Sequence, residues 1–234
     1  MNIIITGASR GIGFDTAIEL AKDPLNHIIA LSRNEEKLRS LYSARTTATG
    51  IRNVEFFKFD ISDFTINQLE EILAPHHKID ILINNAGKLI NKSFLDLEMA
   101  DWESIFDVNL FGTVKLTKAI FPYLVRNGGG HIVNIGSMGG VQGTSKFNGL
   151  SAYSASKAAL ANLTECLAEE WRGDNIRVNC LALGSVNTDM LKEAFPGYKA
   201  PVSSDEMAKF ISQFALTAHK FVNGKIIPVS IDTP

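Results

Sequence analysis

Residues 1–13 read MNIIITGASRGIG, an apolar β-branched run followed by a glycine-rich turn. The isoleucines at 3–5 predict a strand covered on both faces, because the run shows no polar alternation. Glycines at 7, 11 and 13 let the backbone approach a ligand, and a helix starting there offers free N–H groups to a phosphate. The spacing is neither G-x-G-x-x-G nor a P-loop. A tight turn without a ligand is therefore the alternative.

Short apolar runs recur along the chain and alternate with helical patterns. The predicted strands are Asn2–Ile5, His27–Leu31, Val54–Phe59, Ile79–Ile83, His131–Ile135, Arg177–Leu181 and Lys225–Val229. The predicted helices are Ile12–Lys22, Glu35–Thr46, Thr65–Leu73, Met99–Arg126 (as one helix or two), Ala152–Arg172 and Asp205–Ala218. This order predicts an α/β fold: a Rossmann-type, doubly wound, seven-stranded parallel sheet of order 3-2-1-4-5-6-7, with helices on both faces. No linker or repeat interrupts it, so we expect a single domain over residues 1–234.

The composition narrows the class of protein. The chain has a formal net charge of −2, with 45% hydrophobic and 21% charged residues, which does not favour nucleic-acid or membrane partners. Cys166 and Cys180 are expected to be buried free thiols, and neither a disulfide nor a metal site is predicted. No signal peptide or membrane span is apparent, so we expect a cytoplasmic protein.

A second motif, SAYSASKAAL (151–160), places Tyr153 and Lys157 four residues apart on one helix face. A phenol has a reference pKa of about 10, and a nearby ammonium lowers it, which makes the tyrosine a candidate general acid or base. Ser137 follows the fifth strand, at the edge of the sheet where the glycine loop lies. A pair on a helix surface and a turn-forming serine are the alternatives.

Six motifs together resemble the short-chain dehydrogenase/reductase family. They are Thr6-Gly7-x3-Gly11-Ile12-Gly13, Asp60-Ile61, Asn84-Asn85-Ala86-Gly87, Asn109, Ser137 and Tyr153-x3-Lys157, in the family's order. The resemblance covers about the first 190 residues and implies NAD(P)-dependent reduction of a carbonyl, or the reverse oxidation.

The resemblance also implies residue roles. Tyr153 would give or take the proton, Lys157 would lower its pKa and hold the nicotinamide ribose, Ser137 would polarise the carbonyl, and Asn109 would anchor a water leading from Lys157. The cofactor-binding residues would be Gly7, Ser9, Arg10, Gly11, Ile12, Gly13, Ser32, Arg33, Asp60, Ile61, Asn84, Ala86, Gly87, Tyr153, Lys157, Gly184, Val186 and Thr188. Asp60 and Ile61 would serve the adenine, and Val186 and Thr188 the carboxamide.

The choice between the two nicotinamide cofactors depends on the end of the second strand. An acidic residue there binds the ribose 2′-hydroxyl and repels a 2′-phosphate. In this chain Ser32 takes that place, Arg33 follows, and Arg10 lies in the nearby loop. Because guanidinium groups bind phosphate in a bidentate, charge-assisted way, the sequence favours NADP(H) over NAD(H).

Three departures from the family pattern leave details open. Leu183 stands where the family usually has proline, the brief segment 190–204 is a lid or an ordinary loop, and the C-terminus lacks the usual glycine-containing tail.

We expect a homodimer or homotetramer through the helices Asp101–Arg126 and Ala152–Arg172. The substrate is a small carbonyl compound or alcohol: a 3-oxoacyl thioester, small ketone, quinone, pterin or sugar. Alternatives to the NADP(H)-dependent carbonyl reductase are an NAD-dependent alcohol dehydrogenase and a catalytically silent NADP(H)-binding sensor or scaffold.

Overall fold

Seven parallel strands form one sheet in the order that the sequence predicts. The computed structural model describes residues 1–36, 39–40, 42–43 and 50–231. Its strands are β1 (Asn2–Thr6), β2 (His27–Ser32), β3 (Val54–Lys58), β4 (Ile81–Asn84), β5 (Gly130–Ser137), β6 (Ile176–Leu183), β7 (Val186–Asn187), β8 (Val202–Ser203) and β9 (Ile226–Val229). The sheet order is β3-β2-β1-β4-β5-β6-β9, which confirms the predicted topology with β9 as the seventh strand. The short strands β7 and β8 pair with each other as a separate sheet.

Helices cover both faces of the sheet. They are α1 (Gly11–Leu20), α2 (Ile66–Leu73), α3 (Met99–Phe106), α4 (Gly112–Arg126), α5 (Ser151–Glu170), α6 (Asp189–Ala194) and α7 (Ser204–Thr217). Of the predicted helix Glu35–Thr46, residues 35–36, 39–40 and 42–43 are helical, and the rest lies outside the described residues. Among the described residues, no helix is both long enough and apolar enough to cross a membrane.

The predicted helix Met99–Arg126 is divided by a π-helical turn at Asp107–Phe111, where the Gly112 N–H donates to Asp107 O. Gly112 packs against the β3–α2 connection, since a Cβ atom there would lie 2.4 Å from Ile61 O. The inserted turn carries the fully buried Asn109, whose side chain contacts the β4–α3 loop and α5. Such π-turns are frequent at functional sites.

The sheet separates two apolar cores, as the alternation of β1 requires. Ile3 and Ile5 pack with α1 and α7, whereas Ile4 packs on the opposite face with α2 and α4. Both cysteines are free, as predicted, but the prediction that both are buried is wrong for Cys166. Cys180 is an inward residue of β6, whereas Cys166 lies on the outward face of α5. The periodicity of this helix, with six alanines among twenty residues, does not mark that face clearly.

Candidate active site

A cleft of about 740 Å³ opens at the carboxyl ends of the parallel strands. Ligands bind at this edge in open α/β sheets because the strand-to-helix loops converge there. The cleft is lined by the predicted site residues Gly7, Ser9, Arg10, Gly11, Ile12, Gly13, Ser32, Arg33, Asp60, Ile61, Ala86, Gly87, Ser137, Tyr153, Lys157, Gly184, Val186 and Thr188. Of the predicted set, Asn84 and Asn109 do not line it. The tertiary structure thus brings together residues that are up to 181 positions apart, from Gly7 to Thr188.

The glycine loop has the conformation that its sequence requires. Gly7 and Gly11 have φ angles of 69° and 55°, in the region that favours glycine. Gly13 serves close packing instead, since a Cβ atom there would lie 2.3 Å from Asn85 Nδ2 and 2.6 Å from Gly7 O. The loop therefore leads into the N-terminus of α1 with its backbone open to the cleft.

The loop is locked to the neighbouring β4 loop. Thr6 Oγ1 accepts hydrogen bonds from the backbone N–H groups of Asn85 (3.0 Å) and Ala86 (2.9 Å). In return, Asn85 Nδ2 donates to Thr6 O at 2.9 Å. These contacts explain why a threonine ends β1 and why a second asparagine follows β4.

The assignment of Asn84 to the cofactor site needs correction. Asn84 is buried, and its Nδ2 donates to Asn134 Oδ1 (2.8 Å) and Thr117 Oγ1 (3.2 Å), on the α4 side of the sheet. Side chains alternate along β4, so Asn84 shares the face of Leu82 and points away from the cleft. Asn85 lines the cleft in its place.

Ser137, Tyr153 and Lys157 meet at the inner end of the cleft. Ser137 ends β5, and its Oγ accepts from Gly139 N (3.2 Å), which orients the hydroxyl. Tyr153 and Lys157 project from the first turns of α5, with Lys157 Nζ 5.9 Å from the centre of the Tyr153 ring. Lys157 Nζ donates to Ile135 O at 2.7 Å.

Burial dominates the electrostatics of this group. It raises the pKa of Tyr153 above its ordinary value, while the Ser137 hydroxyl acts in the opposite direction. It also lowers the pKa of Lys157 to about 8, an effect that the neighbouring Cys180 thiol opposes. The expectation from the sequence, a Tyr153 pKa lowered by Lys157, is thus not met, because desolvation disfavours the phenolate.

The side chain of Asn109 fixes the β4–α3 loop. Its Oδ1 accepts from Lys88 N (2.7 Å), and its Nδ2 donates to Lys88 O (3.0 Å) and Ser156 Oγ (2.9 Å). Because the amide is committed to these partners, Asn109 supports the lining residue Lys88 from behind and does not itself line the cleft. A proton path from Lys157 past Asn109 stays a prediction.

Arg10, in the glycine loop, and Arg33, just after β2, both line the cleft. Arg33 is exposed and lines the cleft beside the buried Ser32. Arg10 also lines it, but its Nη1 forms an ion pair with Glu193 Oε1 at 2.9 Å. Sequence reasoning missed Glu193, because no local pattern connects it to a residue 183 positions earlier.

The segment 190–204 covers the mouth of the cleft in part. Thr188 caps helix α6, since its Oγ1 accepts from Leu191 N, and the helix carries Met190, Leu191 and Glu193 into the lining. The Tyr198 hydroxyl lies 3.1 Å from Ser185 Oγ. Asn91 Nδ2 donates to Ala194 O at 2.7 Å and so connects the segment to the opposite wall. The aromatic residues Phe147, Phe195 and Tyr198 form an apolar outer part of the cleft.

Known proteins resemble this chain over most of its length. The family model described as short chain dehydrogenase matches residues 1–199. The chain is 29% identical over 236 residues to a 3-oxoacyl-acyl-carrier-protein reductase of Thermotoga maritima, which covers 97% of this chain and 94% of that protein. A short chain dehydrogenase of Shigella flexneri complexed with NADP superimposes with a TM-score of 0.86 at 28% identity, covering 97% and 95% of the two chains. One from Escherichia coli complexed with NADPH gives 0.86 at 29% identity, with the same coverage.

Proposed function

The chain belongs to the short-chain dehydrogenase/reductase family of oxidoreductases, and on that premise we propose that it reduces a ketone or an aldehyde with NADPH, or oxidises the matching alcohol with NADP⁺. One observation carries the proposal: Ser137, Tyr153 and Lys157 line the same cleft as the glycine loop. A catalytically silent sensor would have no need of all three groups at one point.

The cleft fits a dinucleotide. A side chain at Gly11 would press against Thr188, whose Cγ2 lies 3.3 Å from the Cβ position, so the glycine keeps this part of the cleft clear. Gly7, Ser9, Ile12 and the N-terminus of α1 would hold the pyrophosphate. Asp60, Ile61, Ala86 and Gly87 would hold the adenosine half, and Gly184, Val186 and Thr188 would hold the nicotinamide half. When bound, the nicotinamide supplies a hydride to a carbonyl carbon or accepts one from an alcohol.

The protein's own task is to manage the proton and the charge on the substrate oxygen. Tyr153 is protonated at neutral pH because burial raises its pKa, so it donates a proton from Oη to the oxygen during reduction. The Ser137 hydroxyl donates a second hydrogen bond to that oxygen and stabilises its developing negative charge. Lys157, held by Ile135 O, places a positive charge beside the phenol and favours the phenolate that is left.

Preference for NADP(H) rests on the end of β2. Ser32 stands where an acidic residue would repel a 2′-phosphate, and Arg33 lines the cleft beside it. Arg10 is the second candidate ligand, although Glu193 competes for it. The NADP-complexed and NADPH-complexed relatives support this choice over the NAD-dependent alternative.

The outer part of the cleft supports an apolar substrate tail. It is lined by Phe147, Phe195, Met190 and Leu191. A 3-oxoacyl thioester, the substrate that the name of the Thermotoga relative suggests, would place its acyl chain there.

A homodimer or homotetramer is part of the proposal. Exposed apolar side chains of Phe94, Met99 and Phe111 on and beside α3 support it, since such patches mark contact surfaces.

The test is a panel of ketones, aldehydes and 3-oxoacyl thioesters with NADPH, followed by loss of the reduced cofactor's absorbance. Tyr153→Phe is expected to lower kcat by about 10²- to 10⁴-fold, the usual contribution of a general acid, while NADPH still binds. Tyr123→Phe, a tyrosine on α4 outside the cleft lining, is the matched control and should retain wild-type turnover. Undiminished turnover in Tyr153→Phe would refute the mechanism, and a monomeric mass by light scattering would refute the oligomer.

A further inference from the structure

Three chemistry-bearing side chains converge at the edge of the sheet opposite the cleft. His27 begins β2, Glu55 lies on the edge strand β3, and His76 follows α2. One ligand atom from each lies within 4.8 Å of the other two. Ser32, at the cleft end of β2, is five residues further along the strand, or about 16 Å at about 3.3 Å per residue. This cluster is therefore separate from the proposed active site.

We propose that His27, Glu55 and His76 form a binding site for a divalent transition-metal ion, with Zn²⁺ as the preferred ion. Two imidazole nitrogens and one carboxylate oxygen are a ligand set that zinc accepts, whereas Mg²⁺ and Ca²⁺ prefer oxygen ligands throughout. Water fills the fourth position of the tetrahedron, as in other zinc sites with three protein ligands.

The distances suit such a site. His27 Nε2 lies 3.1 Å from Glu55 Oε1, and His76 Nε2 lies 3.4 Å from Glu55 Oε2. Ligand atoms about 2.0–2.1 Å from a zinc ion at tetrahedral angles are about 3.3 Å apart. The two imidazole rings have centroids 5.0 Å apart and are tilted by 40°, so both can direct a nitrogen to one point.

One atom distinguishes this cluster from an ordinary hydrogen-bonded triad. His27 Nε2 is buried and makes no hydrogen bond with any described residue, although the Glu55 carboxylate is at contact distance. A buried ring nitrogen that makes no hydrogen bond is costly, and a metal ion can satisfy it without a proton. Side chains of His27 and Glu55 remain 33% and 40% exposed, which leaves a route for the ion, and His76 at 7% closes the inner side.

The fold places two of the ligands on neighbouring strands and the third just after a helix. Register pairing aligns Ile29 of β2 with Glu55, so Glu55 and His27 project from the same face of neighbouring strands. The backbone of His76 is held by a bond from its N–H to Leu73 O at 2.8 Å, at the end of α2. A bound ion would therefore tie the start of β2, the edge strand β3 and the α2 terminus together, and it would neutralise Glu55.

The test is zinc titration of the full-length chain, stripped with a chelator, by isothermal calorimetry. Cys166→Ser serves as the parent, because the exposed thiol could bind zinc by itself. We expect one site per chain with a dissociation constant below about 1 μM. Glu55→Gln and His76→Asn should each weaken it at least tenfold. His77→Asn, the exposed neighbouring histidine, is the matched control and should bind as the parent does.

Thermal melting provides the second readout, since an ion that binds the native state raises the melting temperature. Zinc should raise it for the parent and for His77→Asn, but not for His27→Asn, whose circular dichroism shows whether it has folded. Co²⁺ should give the visible absorption of a tetrahedral site in the parent and in His77→Asn, but not in His27→Asn. No saturable site in the parent, or equal affinity in Glu55→Gln and the parent, overturns the proposal.

Discussion

Arg10 and Glu193 form an ion pair across the mouth of the cleft, with 2.9 Å between Nη1 and Oε1. It joins the glycine loop to α6 although the two residues are 183 positions apart. The side chains are 41% and 65% exposed, so the pair contributes little stability by itself. The Glu193 carboxylate would therefore compete with a 2′-phosphate for the Arg10 guanidinium, which can contact the phosphate fully only after it leaves Glu193.

Removal of this competitor should strengthen binding of NADPH. An exposed ion pair is worth about 0.2–1 kcal/mol, so Glu193→Gln should lower the dissociation constant for NADPH by up to about fivefold and leave that for NADH unchanged. Fluorescence titration measures both constants. Glu169→Gln, which removes a similarly exposed carboxylate paired with Arg172, is the control. Equal gains for both cofactors would show that Glu193 affects α6 rather than the phosphate.

Arg33 should decide between the two cofactors. A charge-assisted hydrogen bond contributes about 1.5–3 kcal/mol, so Arg33→Ala should lower kcat/KM for NADPH about ten- to hundredfold with little change for NADH. Ser32→Asp should also lower kcat/KM for NADPH. It should raise kcat/KM for NADH, because it supplies the missing carboxylate. Steady-state kinetics with both cofactors test this. Wild-type kcat/KM that is equal or higher with NADH contradicts the NADP(H) assignment.

Gly13 should be intolerant of even one methyl group. The added Cβ of Gly13→Ala would lie 2.3 Å from Asn85 Nδ2 and 2.6 Å from Gly7 O. Such overpacking costs about 1–3 kcal/mol of unfolding free energy, measured by urea denaturation. NADPH binding should weaken as well, because Asn85 holds the loop. Gly173→Ala is the control, since nothing lies within 4 Å of its Cβ position. Equal stability of the two variants would contradict the packing role of Gly13.

The reduction rate should fall as pH rises through about 8. The pKa of Lys157 is lowered by burial to about 8, so the cation beside Tyr153 is present below that pH and lost above it. The profile of kcat/KM against pH reports ionisations of the free enzyme and should decline by about tenfold per pH unit above the transition. Lys157→Arg, if it is active, should lack the transition because guanidinium stays protonated. A flat profile from pH 7 to 10 in the wild type would contradict the role given to the Lys157 cation.

The sequence was sufficient for the sheet and for most of the cleft. Isoleucine runs such as Ile3–Ile5 are strands because both sheet faces are covered by helices, and the glycine loop, Ser137, Tyr153 and Lys157 all follow strand ends or begin helices. Parallel topology brings all carboxyl ends to one edge, so order along the chain predicted proximity in space.

Single positions depended on the tertiary structure. Alternation along β4 turned Asn84 inward and left Asn85 at the cleft, a difference of one residue that the motif does not encode. Burial reversed the expected direction of the Tyr153 pKa, because desolvation depends on every neighbouring element. The outward position of Cys166 likewise followed from how α5 is rotated.

The sequence by itself determined the fold, the family and the chemistry-bearing residues at strand ends, because local patterns and parallel topology suffice for these. Tertiary structure alone decided which distant side chains meet: Arg10 with Glu193 over the cleft, and His27 with Glu55 and His76 at the far edge. No periodicity or spacing links residues that far apart. Their meeting is set by strand register, helix rotation and packing, which the whole chain determines together.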